Sequence, residues 1–309
     1  MKTSFTKILA VASLTASTVA RRTDFARNIL LTNDDGWAVA QLRDEYNQLR
    51  AAGYEVILSA PAVDKSGTDS STTTPTPLTT PCQFDTCPIG SPATGTDAHD
   101  RELFCRLVDA ARFGIQNFAE MRWGKKPDFV VSGSNLGNNL GPVVNISGTV
   151  GAAGEAAKEG VPSFAFSGGS GSSVIYTTLT SEPDAASTID AKIYTSLILK
   201  FLSTYLAGCS ESSPIVPHGF SVNINFSPVT SCSNNAKNFK WVATRLLPST
   251  SNVDTSRCGS RNLPDETTVS QSGCFATVSV FNVTAKQDAP AALQKVVFDR
   301  LHSLLTCVH

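Results

Sequence analysis

The sequence predicts an α/β fold, a mostly parallel sheet covered by helices, followed by a β-rich C-terminal extension. Three observations predict it. Short apolar runs alternate with helical spacings through the first part of the chain, the signature of strands joined by helical crossovers. Later strand-like pieces are separated by Pro-, Ser- and Asn-rich intervals. Hydrophobic residues make up 41% of the 309 residues, enough for a sizeable core and too many for a globally disordered chain.

The elements follow in order. Lys2 and Lys7 precede the apolar string ILAVASLTASTVA, which ends in Thr18-Val19-Ala20 before Arg21-Arg22. This is the pattern of a secretory leader over residues 1–20, cut after Ala20 or trimmed at the Arg pair, and its apolar core is too short to span a bilayer. Residues 28–32 read as a strand. Residues 39–52 place Leu42, Tyr46 and Leu49 at helical spacing and stop at Gly53, and 55–60 are again strand-like. After a Ser-, Thr- and Pro-rich loop from residue 61 to about 96, residues 101–120 predict a helix with Leu103, Leu107, Ala111 and Ile115 near one face. PDFVVSGSN supplies a third apolar run, 149–159 a helix of small residues, and VPSFAFS a further strand. Beyond them lie a long helix over 184–206, strand-like pieces at 220–225, 241–246 and 276–282, and a closing helix over 291–305; 227–238 and 248–272 read as irregular. Residues 28–309 thus form a single domain whose extension starts near 219.

A formal net charge of −1, with Lys and Arg scattered, offers no stripe for a phosphate backbone, so a nucleic-acid duplex is not an expected partner. No membrane partner is expected either. Sequons at Asn145, Asn225 and Asn282 suit a glycosylated secreted chain. The eight cysteines lack paired CxxC spacing and read as up to four structural disulfides, with Cys82–Cys87 and Cys258–Cys274 the local pairs. The four histidines show no ligand spacing, and the serine-hydrolase elbow, the P-loop and the GxGxxG fingerprint are all missing from the sequence.

Chemistry gathers where strands end. The string ILLTNDDGW closes the first strand with two adjacent carboxylates. Turn formation explains Asn, Asp and Gly there, and so does a cation, since unneutralised neighbouring carboxylates repel. In an open parallel sheet ligands collect beyond the carboxyl ends of the strands. Successive strand ends carry Asn33-Asp34-Asp35, Ser66-Gly67 and Ser132-Gly133-Ser134-Asn135, hard oxygen donors suited to Mg²⁺, Mn²⁺ or Ca²⁺. Ser147-Gly148-Thr149 sits at a helix start, which favours a bound anion or is an ordinary N-cap.

Four strings, ILLTNDDGW, SAPAVDKSGTDSSTT, PDFVVSGSNLGNNLG and SGTVGAAGEAAKEGVPSFAFS, together resemble the successive motifs of the SurE survival-protein family, metal-dependent phosphatases and nucleotidases. The likeness is close from Asn28 to about Ser167 and weaker through SVNINF, FKWVATR and GCFATVSVFN. It implies a Rossmann-like three-layer sandwich. Asp34, Asp35, Ser66 and Asn135 fall on the family's metal-ligand positions, and Asn139, Ser147, Gly148 and Thr149, with Gly67, where it lines a phosphate pocket. The implied reaction is hydrolysis of a small phosphate monoester, such as a nucleoside monophosphate, with one divalent cation, Mg²⁺ or Mn²⁺, and a metal-activated water; direct attack by Asp34 or Asp35 is the alternative. The leader and cysteines resemble the secreted, acid-phosphatase-like eukaryotic members. Where the family has a GTPADC-like segment this chain reads SPATGTDAH, so substrate contacts there do not carry over. The family tends to form a homodimer through its extension, which the divergence here leaves open, and a non-catalytic binding protein that keeps the pocket is the second reading.

Overall fold

The structure, a computed structural model, describes residues 26–67, 76–96, 103–106, 110–210, 212–251 and 253–308; the leader expected over 1–20 lies outside the described residues. In chain order the elements are β1 (Asn28–Thr32), α1 (Ala40–Ala51), β2 (Glu55–Pro61), β3 (Thr94–Thr96), β4 (Leu103–Arg106) and α2 (Ala110–Phe113). A π-turn over Gly114–Phe118 leads into α3 (Ala119–Trp123), then β5 (Phe129–Leu136), a 3₁₀ turn over Gly141–Asn145, α4 (Gly148–Lys158), β6 (Ser163–Gly168), α5 (Thr178–Ser181) and α6 (Ala186–Ala207). The chain ends with β7 (Phe220–Phe226), β8 (Lys240–Thr244), α7 (Glu266–Gln271), β9 (Phe275–Asn282), β10 (Gln287–Asp288), α8 (Ala291–Arg300) and β11 (Leu305–Thr306).

All strands join one 11-stranded sheet in the order β11-β8-β9-β7-β6-β5-β1-β2-β4-β3, with β10 on β9. From β4 through β2, β1, β5 and β6 to β7 every pairing is parallel, and β9 then runs antiparallel to β7. Alternation along β1 builds the layers. Ile29 and Leu31 pack with Leu42 and Tyr46 of α1 and Phe201 of α6, while Leu30 faces Ile115, Phe118 and Ala156 on the other side. The strands of the expected β-rich extension therefore continue the same sheet.

The register positions the site. Thr32 pairs with Ser132, so the chain leaves β1 and β5 side by side, and the register of β5 against β6 shifts between Ser132 and Asn135. Gly133 occupies that shift with φ +111, and a Cβ there would lie 2.1 Å from the Phe166 carbonyl oxygen, so only glycine fits.

Several sequence expectations are corrected. Residues 101–120 do not form one helix: Leu103–Arg106 is strand β4, parallel to β2, and helix begins at Ala110. A short apolar run serves either element, and here β2 offers it a free edge. The closing helix stops at Arg300, because Leu305 and Thr306 pair with β8. The interval 248–272, expected to be irregular, contains α7, capped by the Asp265 side chain accepting the Thr268 amide. The Cys82–Cys87 bridge forms, but Cys258 bonds Cys307 and Cys274 bonds Cys232. Antiparallel pairing of Phe226 with Ala276 brings the exit of β7 to the entry of β9 and thus Cys232 to Cys274. Cys209 keeps a free thiol, and the three bridges among the described residues lie within the expectation of up to four. No helix among the described residues is long and apolar enough to cross a membrane.

Candidate active site

The turn after β1 divides its labour. Asn33 closes it, its side chain accepting the Gly36 amide at 3.3 Å and donating to the Gly36 carbonyl at 3.4 Å. Turn chemistry therefore accounts for Asn33 and Gly36 and leaves the two aspartates unexplained. Both are buried, Asp34 at 6% and Asp35 at 4% exposure. Oδ1 of Asp34 accepts the Thr149 hydroxyl at 2.5 Å, and Oδ2 of Asp35 accepts the Leu136 amide at 3.1 Å. No ion pair among the described residues reaches either carboxylate. Burial pushes the Asp34 carboxyl above its usual range, against the pull of the Thr149 hydroxyl. Burial first, then the charge of Asp34, pushes Asp35 well above it.

The loop after β2 reaches the pair through its backbone, the Lys65 amide donating to the Asp34 carbonyl at 2.7 Å. Ser66 and Gly67 follow, both exposed, with the Ser66 amide on Asp64 Oδ1 at 2.7 Å. The Asp64 charge also raises both site aspartates. At the end of β5, the Asn135 side-chain nitrogen donates to the Gly137 carbonyl at 2.7 Å and the Leu136 carbonyl at 3.3 Å. That leaves its carboxamide oxygen, the atom a hard cation takes, outside these bonds.

Helix α4 begins against Asp34. The Ser147 hydroxyl accepts the Val150 amide at 3.0 Å, an ordinary N-cap. Gly148 touches the carboxylate so closely that a Cβ would lie 2.7 Å from Asp34 Oδ2. Thr149 gives its hydroxyl to Asp34. The helix start thus faces a carboxylate of the turn, where its partial positive charge favours negative oxygen. Asn139 is turned elsewhere: its side-chain nitrogen donates to Ser167 Oγ at 2.8 Å, its amide to Asn225 Oδ1 at 2.8 Å, and its carbonyl accepts Asn223 Nδ2 at 2.9 Å. These bonds prop the loop.

Sequence reasoning missed Asp64, beside the Ser-Gly loop, and two fully buried acids. Glu45 on α1 accepts the Ser134 amide at 3.1 Å. Glu266, at the first position of α7, accepts the Gly141 amide at 2.8 Å, and burial pushes it up to about 8. Only Asp64 carried a signal, as a third acid next to a motif loop. No group of three or more His, Cys, Asp and Glu that could hold a metal occurs among the described residues, so any cation here would be held by a mixed oxygen set. Two buried carboxylates with no cationic partner among the described residues, beside a carboxamide and a hydroxyl loop, fit a hard divalent ion.

The sequence profile described as "Survival protein SurE" matches residues 29–251. The chain belongs to the SurE family. An acid phosphatase of Yarrowia lipolytica is 32% identical over 299 residues, which cover 86% of this SurE chain and 81% of that protein. The 5'-nucleotidase SurE of Lawsonia intracellularis is 39% identical over 140 residues, 45% of this chain and 50% of that one. Acid phosphatases and 5'-nucleotidases are phosphoric monoester hydrolases. The crystal structure of a SurE protein from Aquifex aeolicus superposes with a TM-score of 0.52 at 22% identity, covering 82% of this chain and 93% of that one, and shares the SurE fold.

Proposed function

We propose that this SurE chain is a secreted phosphomonoesterase of the acid phosphatase or 5'-nucleotidase type, acting on small phosphate monoesters with one divalent cation, Mg²⁺ or Mn²⁺. One observation carries the reading: two buried, adjacent carboxylates with no cationic partner among the described residues face the amino end of a helix. Asp34 and Asp35 would hold the cation, with Asn135 and the Ser66 loop completing an oxygen set. Bound there, the ion supplies charge neutralisation of the phosphoryl oxygens and a more acidic water. The remaining work belongs to the chain. Thr149 fixes the rotamer of Asp34, the Leu136 amide that of Asp35, and glycine at 148 lets the helix close on the carboxylate. The amides at the start of α4 that capping leaves free, the Val150 amide being held by Ser147, would receive the anionic end of the substrate. Secretion is supported by the leader pattern at 1–20 and by three disulfides.

The test is release of phosphate from p-nitrophenyl phosphate by the secreted protein, with Mn²⁺ or Mg²⁺ and then with excess EDTA. Turnover that EDTA abolishes is expected. Full turnover in EDTA removes the cation from the reaction, and phosphate binding without turnover under any ion makes the chain a binding protein. Rapid-quench trapping of a phosphorylated Asp34 or Asp35 would replace water by aspartate as the nucleophile.

A further inference from the structure

Behind the site lies a second buried carboxyl whose surroundings are of another kind. Glu266 is fully buried and meets donors on three sides: the Gly141 amide at 2.8 Å, Ser279 Oγ at 2.8 Å, and Asn223 Nδ2 at 3.1 and 3.2 Å from its two oxygens. Capping does not require it, because Asp265 already accepts the Thr268 amide at 2.9 Å. What these bonds share is the loop before α4. The Asn223 side chain that meets Glu266 also donates to the Asn139 carbonyl, Asn225 accepts the Asn139 amide, and Glu266 takes the Gly141 amide. Three main-chain groups of residues 139–141 are thus gripped by side chains of β7 and α7. Gly141 itself, at φ +54, sits so that a Cβ would lie 3.3 Å from Thr267 Oγ1 of α7. From there one 3₁₀ turn leads directly to Ser147 and the helix start facing Asp34.

We infer that Glu266 is a positioning residue: through Gly141 and Asn223 it fixes the 139–141 loop, and with it the place where the start of α4 meets the phosphoryl group. The inference deepens the proposed phosphatase reading and rests on it for the identity of the anion. Glu266 lies beyond the 29–251 stretch that carries the family match, so the C-terminal part of the chain completes the site from behind.

The network works with a neutral acid. Burial raises Glu266 to about 8, and the Asp288 charge opposes ionisation further. Arg245, the cation of that corner, is committed to Asp254 and Asp288. As the bond stands Ser279 Oγ donates to Oε2 at 2.8 Å; a proton on Oε2 reverses that bond, Ser279 Oγ then donating to Thr244 Oγ1 at 2.8 Å, while Oε1 still accepts the Gly141 amide. Ionisation places a charge with no counter-ion in the interior, which the loop relieves by opening.

Full-length, disulfide-intact wild type, Glu266→Gln and Glu266→Ala are compared by three measurements: calorimetric binding of inorganic phosphate, kcat and KM for p-nitrophenyl phosphate from pH 5 to 9, and Tm. A glutamine reproduces the neutral acid, with its oxygen on Gly141 and its nitrogen on Ser279. Expected are phosphate affinity and KM in Glu266→Gln within about threefold of wild type, and an alkaline limb displaced upward relative to wild type. Glu266→Ala is expected to weaken phosphate binding and raise KM by about tenfold or more, the scale on which displaced binding groups act. A Glu266→Ala protein with lower Tm but unchanged phosphate affinity and KM, or alkaline limbs that superpose in wild type and Glu266→Gln, overturns the inference. Failure of the phosphatase reading is separate, since there wild type itself releases no phosphate, while the calorimetric comparison still reads the loop.

Discussion

Two sets of buried acids lie on either side of the start of α4, and they are kept in opposite ways. In front, burial raises Asp34, burial and the charge of Asp34 raise Asp35, and no cationic group among the described residues pairs with them. Behind, Glu266 is also raised, yet each of its oxygens meets a donor. A buried polar group is costly chiefly when its bonds are unmade. The satisfied acid therefore belongs to architecture, and the repelling pair is the charge that the proposed cation would neutralise.

Removing that pair breaks the contrast most sharply. Asp35→Asn should lower kcat/KM by about a thousandfold, the scale of losing a group that stabilises transition-state charge, while the metal-free protein gains Tm because the carboxylate repulsion goes. A variant that loses activity and stability together makes Asp35 another structural acid. Gly148→Ala comes next. Its Cβ would strike the Asp34 carboxylate, and misplacing that group should reduce kcat/KM by about a hundredfold.

Metal addition sharpens the comparison through pH. Because the folded chain holds Asp34 and Asp35 above the ordinary carboxylate range, it binds protons the unfolded chain has released, and between the two values stability falls as pH rises. A divalent cation competes with those protons. Thermal melts should show a larger Tm gain from Mn²⁺ at pH 7 than at pH 5, and an equal gain at both would place the ion elsewhere. Thr149→Val, which removes the hydroxyl bonded to Asp34, should lower kcat/KM by about tenfold, with Tm down by roughly the worth of one hydrogen bond, about 1 kcal/mol. The smallest effect is a modification left unmade. Asn225 is fully buried in β7 and bonds Asn139, so glycopeptide mapping of secreted protein should find it bare, and a glycan there would mean a different course for β7.

Legibility in the sequence follows the same division. The parallel half could be read because each strand there is a continuous apolar run ending in polar turn residues, and β1, β2, β5 and β6 lie where those runs lie. The aspartates stood out because no local rule asks for two charges side by side. Glu266 could not be read, since an Asp-Glu pair at a helix start has an ordinary capping explanation and its partners lie far away in the chain at Gly141, Asn223 and Ser279. Strand β4 was lost because Leu103–Arg106 borrows its identity from the edge of β2, and the Cys232–Cys274 pairing because it depends on an antiparallel register that no spacing announces.

The bridges Cys232–Cys274 and Cys258–Cys307 interleave along the chain, the second beginning inside the span of the first and ending beyond it. Together they close residues 232–307 into two overlapping rings, and α7 hangs in the stretch common to both. Each ring reduces the freedom of the unfolded segment, so α7 is tethered twice. In a reducing compartment the front motifs would still be present while the helix bearing Glu266 lost both tethers, so these two bridges are tied to the packing behind the start of α4 through the far end of the polypeptide.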